Sequence, residues 1–120
     1  MKYPILTRIL AADNPTPTIK LREKPEVEAN CWAYMDNGVS HFECDENSVH
    51  LVIPTITAQE YETLPKKFYL NANHYFEDEM GRSTTFYFKF LVEITGAEKF
   101  ETTGEVDLSY NAELIEYEYD

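Results

Sequence analysis

From His41 to His50 the chain reads His-Phe-Glu-Cys-Asp-Glu-Asn-Ser-Val-His, crowding imidazole, thiol and carboxylate groups into ten positions. Such donors are the ligands of zinc. Structural zinc sites, however, are built from two paired ligand motifs, and the sequence holds neither a C-x-x-C nor an H-x₃-H. On an extended strand His41 and Cys44 also point to opposite faces. Asp45-Glu46-Asn47 lacks the glycine and the closing glutamate of an EF-hand loop. Glu77-Asp78-Glu79 reads as a solvated turn in preference to a weak cation site. No metal and no cofactor is expected.

Nucleophilic catalysis is no better served. Ser40, Ser48, Ser83 and Ser109 sit in no nucleophile-elbow pattern, and no glycine-rich phosphate loop occurs. His74 falls on the apolar face of its segment, the place of a core histidine. His50 has no acid or nucleophile at a useful offset. The expectation is a protein that is not an enzyme.

The two cysteines allow a geometric statement. Asn37-Gly38 suits the positive φ values of a two-residue type I′ turn. Paired positions around it sum to 75, which sets Cys31 opposite Cys44, Trp32 opposite Glu43 and Tyr34 opposite His41. The cysteine pair is then a non-hydrogen-bonded one with Cα atoms about 4.5 Å apart. That spacing permits a disulfide. A cytoplasmic protein would keep two packed thiols instead, and thiols are the expectation.

What must position these groups is a set of strands. Lys67-Phe-Tyr-Leu-Asn-Ala-Asn-His-Tyr-Phe76 and Thr84-Thr-Phe-Tyr-Phe-Lys-Phe-Leu-Val-Glu-Ile94 both alternate with period two. Phe68, Leu70, Ala72, His74 and Phe76 share one face of the first. Phe86, Phe88, Phe90, Val92 and Ile94 share one face of the second. Strict alternation in aromatic and β-branched residues marks strands with one buried side. The intervening Glu77-Asp-Glu-Met-Gly-Arg-Ser83 makes them a hairpin, with Gly81 supplying a positive φ. A register in which residue numbers sum to 162 keeps both apolar faces together, pairing Phe76 with Phe86 and His74 with Phe88, around a three- or five-residue loop.

Shorter strands are read at Ile5–Leu10, Ile19–Arg22, Val27–Met35, His41–Cys44, Val49–Ile53 and Ile115–Asp120. Thr57-Ala-Gln-Glu60 is a capping box, so residues 57–63 form at most one helical turn before Pro65. Seven to nine strands with no long helix predict one all-β domain over 1–120, a sandwich or barrel.

Composition narrows the function. A 43% hydrophobic, 14% aromatic chain of 120 residues has the makings of a packed core. The net charge is −12, and from Glu101 to Asp120 seven carboxylates occur without a single Lys or Arg. Direct binding of nucleic acid phosphates, which is carried by clustered cations, is therefore not expected. Three readings of the charge stand: a solvated surface, a match to a basic partner protein, or mimicry of a nucleic acid backbone. No apolar run reaches the ~18 residues of a membrane span, and Pro4 and Arg8 interrupt the start, so no membrane association is expected and the protein is expected in the cytoplasm or in something assembled there.

The order Val49-His-Leu-Val-Ile53, Thr57-Ala-Gln-Glu60-Tyr-Glu-Thr-Leu-Pro65, Phe68 to Phe76, Gly81-Arg82 and a second long strand through Ile94 resembles the immunoglobulin-like β-sandwich modules of tailed-phage particle proteins. The likeness covers about 45 of the 120 residues. It implies that the all-β domain is an antiparallel β-sandwich, immunoglobulin-like or related, serving as a structural or interaction module of a virion's neck, tail, baseplate or head decoration, with no catalytic residues to carry over.

The opposite face of the central hairpin carries Tyr69, Tyr75 and Tyr87 with Asn71, Asn73 and Lys89. Either a second layer covers part of it, or it is a contact surface of the Tyr-rich kind found at protein interfaces. Tyr69, Tyr75, Tyr87, Glu113, Glu116 and Glu118 are the candidate partner-binding residues. The function expected is that of a non-enzymatic accessory protein of a phage particle, contacting other protein subunits, at least one with a basic surface. The alternative is a small acidic inhibitor or immunity protein that neutralises a basic nuclease or defence enzyme.

Overall fold

A computed structural model describes residues 16–120, and the strand expected at Ile5–Leu10 lies outside them. The fold is all-β. Nine strands follow in chain order: β1 Thr18–Ile19, β2 Glu26–Glu28, β3 Cys31–Asp36, β4 Val39–Cys44, β5 His50–Val52, β6 Ile56–Thr57, β7 Lys67–Glu77, β8 Ser83–Lys99 and β9 Glu105–Tyr119. One short helix, α1 (Ala58–Thr63), follows β6, and a 3-10 turn spans Glu46–Ser48.

The main sheet has the order β1-β7-β8-β9-β6. Its ladders are antiparallel except for β1, which runs parallel to β7. Two small antiparallel ribbons, β2-β5 and β3-β4, form the second layer. One core joins the layers: Phe68, Leu70, Phe86, Phe88, Phe90 and Val92 from the main sheet meet Val27, Phe42, Cys44, Leu51 and Ile53. Phe86, Phe88 and Phe90 are at most 2% exposed. Phe42 of β4 meets the rings of Phe76 and Tyr119 edge-on, at centroid distances of 6.2 and 5.3 Å. A least dimension of 21 Å fits two β layers spaced about 10 Å apart with their outward side chains.

The β3-β4 turn forms as the sequence predicts. Asn37 and Gly38 have φ of 53° and 79°, and Cys31 faces Cys44, Trp32 faces Glu43 and Tyr34 faces His41. The capping box is also present: Thr57 Oγ1 accepts the Glu60 N–H, and the Glu60 carboxylate accepts the Thr57 N–H.

The β7-β8 register differs from the expected one. Residue numbers sum to 160, so Phe76 faces Thr84, His74 faces Phe86, and Phe68 faces Val92. Each face keeps its residues, because a slide of two preserves parity. The loop explains the shift. One Asp78 carboxylate oxygen accepts the N–H groups of Met80 and Arg82, the other accepts Arg82 Nε–H at 2.7 Å, and the Asp78 N–H donates to the Arg82 carbonyl at 2.8 Å. This closes the hairpin around Met80, with Gly81 at φ 84°.

The apolar run Val27–Met35 is two strands. The break falls at Ala29-Asn30, where the chain leaves its pairing with β5 for its pairing with β4. Asn30 spans the change: its N–H donates to Ser48 Oγ and its carbonyl accepts the Asp45 N–H, both at 2.9 Å. Of the Ile19–Arg22 segment only Ile19 pairs, together with Thr18 before it, although Leu21 is buried. The C-terminal strand begins ten residues before Ile115, at Glu105, because β8 and β9 form a second hairpin closed by Gly104 at φ 73°.

Candidate interaction surface

Side chains of β7, β8 and β9 that turn away from the core build one continuous outer face. Cross-strand pairs on it are Tyr75 with Thr85, Asn73 with Tyr87, Asn71 with Lys89, and Tyr69 with Leu91. On the other side of β8, Tyr87 faces Glu118, Lys89 faces Glu116, and Leu91 faces Glu113. All six candidate residues therefore stand on one side of one sheet.

Their surroundings differ. Tyr75 is 62% exposed and Tyr87 39%, whereas Tyr69 is half-buried beneath the Lys89 ammonium, which sits 4.5 Å from its ring centroid. That cation–π contact fixes Lys89 over β7. Glu113, Glu116 and Glu118 are exposed, and the face is negative along β9 and aromatic along β7 and β8. Between them a depression of about 450 Å³ is bordered by Thr18, Asn71, Asn73, Tyr87, Glu116 and Glu118, among others. Asn71 and Asn73 thus join the candidate set, and their place on the same face as Tyr87 and Lys89 is what the hairpin pattern already signalled, although the expected register paired them differently.

Glu113 belongs to this face only because β9 is irregular. Leu114 pairs with Phe90 and Glu116 with Lys89, leaving Ile115 as an extra residue. Even-numbered residues from Val106 to Leu114 face inward before it, and Tyr117 and Tyr119 face inward after it. The change of parity in the apolar positions was the available signal.

The inner side of β9 ties the layers together. Tyr110 Oη accepts the Ile53 N–H and donates to the Leu51 carbonyl, both at 3.0 Å. Tyr117 Oη accepts the Cys44 N–H at 3.5 Å, and Tyr119 Oη lies 3.2 Å from His41 Nδ1. Burial of Tyr117 pushes its phenol pKa up. His41, whose ring also stacks on Tyr34 at 5.4 Å, is held by structural contacts. His74 is half-buried opposite Phe86, and His50 is exposed opposite Glu28.

Cys31 and Cys44 are thiols, with their Sγ atoms 2.8 Å apart. Burial raises both pKa values, most strongly that of Cys44. Neutral, packed thiols are poor nucleophiles and poor metal ligands. Among the described residues no three His, Cys, Asp or Glu side chains converge to hold a metal ion.

A smaller aromatic patch lies on the second layer, where Trp32 and Tyr34 are 43% and 40% exposed on the outward side of β3. Compared with known proteins, the chain matches no family model, no curated protein and no solved structure. The geometry itself defines a two-layer all-β protein that presents an acidic, aromatic sheet face.

Proposed function

We propose that this protein is a non-enzymatic accessory component of a tailed-phage virion, in the neck, tail, baseplate or head decoration, acting through protein–protein contacts. One observation carries the contact reading: Tyr69, Tyr75, Tyr87, Glu113, Glu116 and Glu118 share one outward face of three adjacent strands, β7, β8 and β9, of the main sheet. Cross-strand hydrogen bonds hold these groups at fixed spacing, so docking costs little chain entropy. Tyrosines supply contact area and the carboxylates select a basic partner. The phage assignment draws on the resemblance of the segment 49–94.

Quantifying the chain in purified particles, produced from the genome that encodes it, tests the assignment. A fixed ratio to the major capsid protein is expected; absence from the particles overturns it. Replacing Glu113, Glu116 and Glu118 by Gln tests the role of charge, since shape is nearly preserved. Association with the partner should weaken and lose salt dependence. Unchanged affinity and salt dependence would reduce the carboxylates to a solvated surface.

The exposed carboxylate row on a chain of net charge −12 favours a second reading, the acidic inhibitor. A one-to-one complex with a soluble basic nuclease or defence enzyme, dissociated by salt, would support it in place of the first.

A further inference from the structure

Among the described residues the main sheet has an open edge. β6 pairs with β9 only at Val106 and Glu105, and among the described residues no strand pairs with the remainder of that edge. Pro54 accounts for the stop: continued in register it would face Leu108, and it has no N–H to give to the ladder.

Which backbone groups point outward follows from three hydrogen bonds. Asp120 N–H donates to the Thr85 carbonyl at 3.2 Å, so that pair is bonded across β8-β9. Alternation then commits Glu118 and Glu116 to β8 and turns the N–H and C=O groups of Tyr119 and Tyr117 outward. Beyond the extra residue, Ile94 N–H donates to Lys66 on the other side of β8 at 2.8 Å. Its partner Tyr110 is therefore unbonded to β8, and by alternation so are Ala112 and Leu114. Phe100 N–H donates to the Glu105 carbonyl at 2.8 Å, which fixes the same alternation at the far end. From Ala112 to Tyr119 the edge offers a strand's length of donors and acceptors that no other described residue pairs.

From this we infer that β9 accepts an added antiparallel strand from a partner, and that the partner strand alternates basic with apolar residues. The inference rests on the contact reading above and names its mode. Side chains on the outer side of an added strand would lie beside Glu113, Glu116 and Glu118, where Lys or Arg fits. Those on the inner side would lie beside Leu114, Tyr117 and Tyr119, where apolar groups fit. A second copy is a poor occupant, because two β9 edges would bring the same three carboxylates of each strand together. Edge charge and an irregular residue are the usual guards against such self-pairing, and they leave a cationic strand as the complement.

The probe is a blocked octapeptide, Thr-Lys-Val-Lys-Val-Lys-Val-Thr, with a control in which glutamate replaces each lysine. In the free full-length chain the amides of Ala112, Leu114, Tyr117 and Tyr119 should exchange with solvent as open groups. Saturation with the lysine peptide should slow them about tenfold or more, while the glutamate peptide leaves them unchanged. Ala112→Pro removes one outward N–H without touching the β8 ladder and should weaken peptide binding about tenfold. Should that variant not fold, Glu113→Lys with Glu118→Lys, both exposed, should weaken it at least as much.

Amides already protected in the free chain would overturn the inference. Concentration-dependent protection would then assign the edge to a second copy, and concentration-independent protection to residues 1–15. Equal binding of both peptides would overturn it as well. Loss of a protein partner on Tyr87→Ala but not on Ala112→Pro would leave the contact reading standing and the edge inference refuted.

Discussion

Glu113 and Glu116 are three positions apart in β9, yet both project from the outer side of the sheet, opposite Leu91 and Lys89. In a regular strand residues three apart face opposite ways. Ile115, the extra residue between the pairs Leu114/Phe90 and Glu116/Lys89, reverses the parity and is 42% exposed. Because Ile115 is set outside the pairing, Glu113 joins Glu116 and Glu118 in one acidic row.

Deleting Ile115 should therefore be tolerated. The sequence Glu113-Leu114-Glu116-Tyr117 then alternates without interruption, and every pairing with β8 is kept. Stability should change by less than about 1 kcal/mol, while self-association rises as the edge becomes regular. Urea unfolding and sedimentation measure both; loss of cooperative unfolding would refute this account of β9.

Phe88 lies at the centre of the core, 2% exposed between Phe86 and Phe90 at centroid distances of 6.0 and 6.1 Å. Phe88→Ala should cost about 3–5 kcal/mol through lost burial and a residual cavity. An unchanged melting temperature would place Phe88 outside the core.

Tyr110→Phe removes a hydroxyl that serves both Ile53 N–H and the Leu51 carbonyl. With two backbone groups left without their partner, stability should fall by about 1–3 kcal/mol. Exchange of the Ile53 amide should accelerate well beyond that of amides in β7. Equal acceleration throughout would mean that Tyr110 does not tether β5 in particular.

Glu60 provides the pH dependence. The Thr57 N–H donated to its carboxylate, helped by Arg22, holds its pKa below the usual carboxylate range. A folded pKa below the unfolded one stabilises fully above the unfolded value, about 4.3, and is lost as pH falls through the folded value. Glu60→Gln should flatten this acid limb. Parallel stability curves for the two proteins between neutral pH and pH 3 would show that the ionisation of Glu60 contributes nothing to the cap.

The sequence by itself determined which side chains share a face and where the chain turns tightly. The alternation of Phe86, Phe88 and Phe90, the Asn37-Gly38 turn with Cys31 opposite Cys44, and the Thr57/Glu60 cap all rest on φ/ψ preferences and periodicities spanning a few residues. The candidate face was legible for the same reason along β7 and β8. Tertiary structure decided the rest: the 160 register, the split of Val27–Met35 between two partners, the parallel docking of Thr18–Ile19 on β7, and the joining of Ile56 to Val106. A slide of two residues leaves every side chain on its own face, so hydrophobic pattern cannot choose between the 160 and 162 registers. The Asp78–Arg82 contacts choose, and they form only when the loop closes. The sequence likewise shows a change of parity near Ile115, but only the folded ladder sets that residue outside the pairing, so that Leu114, Tyr117 and Tyr119 all face the second layer.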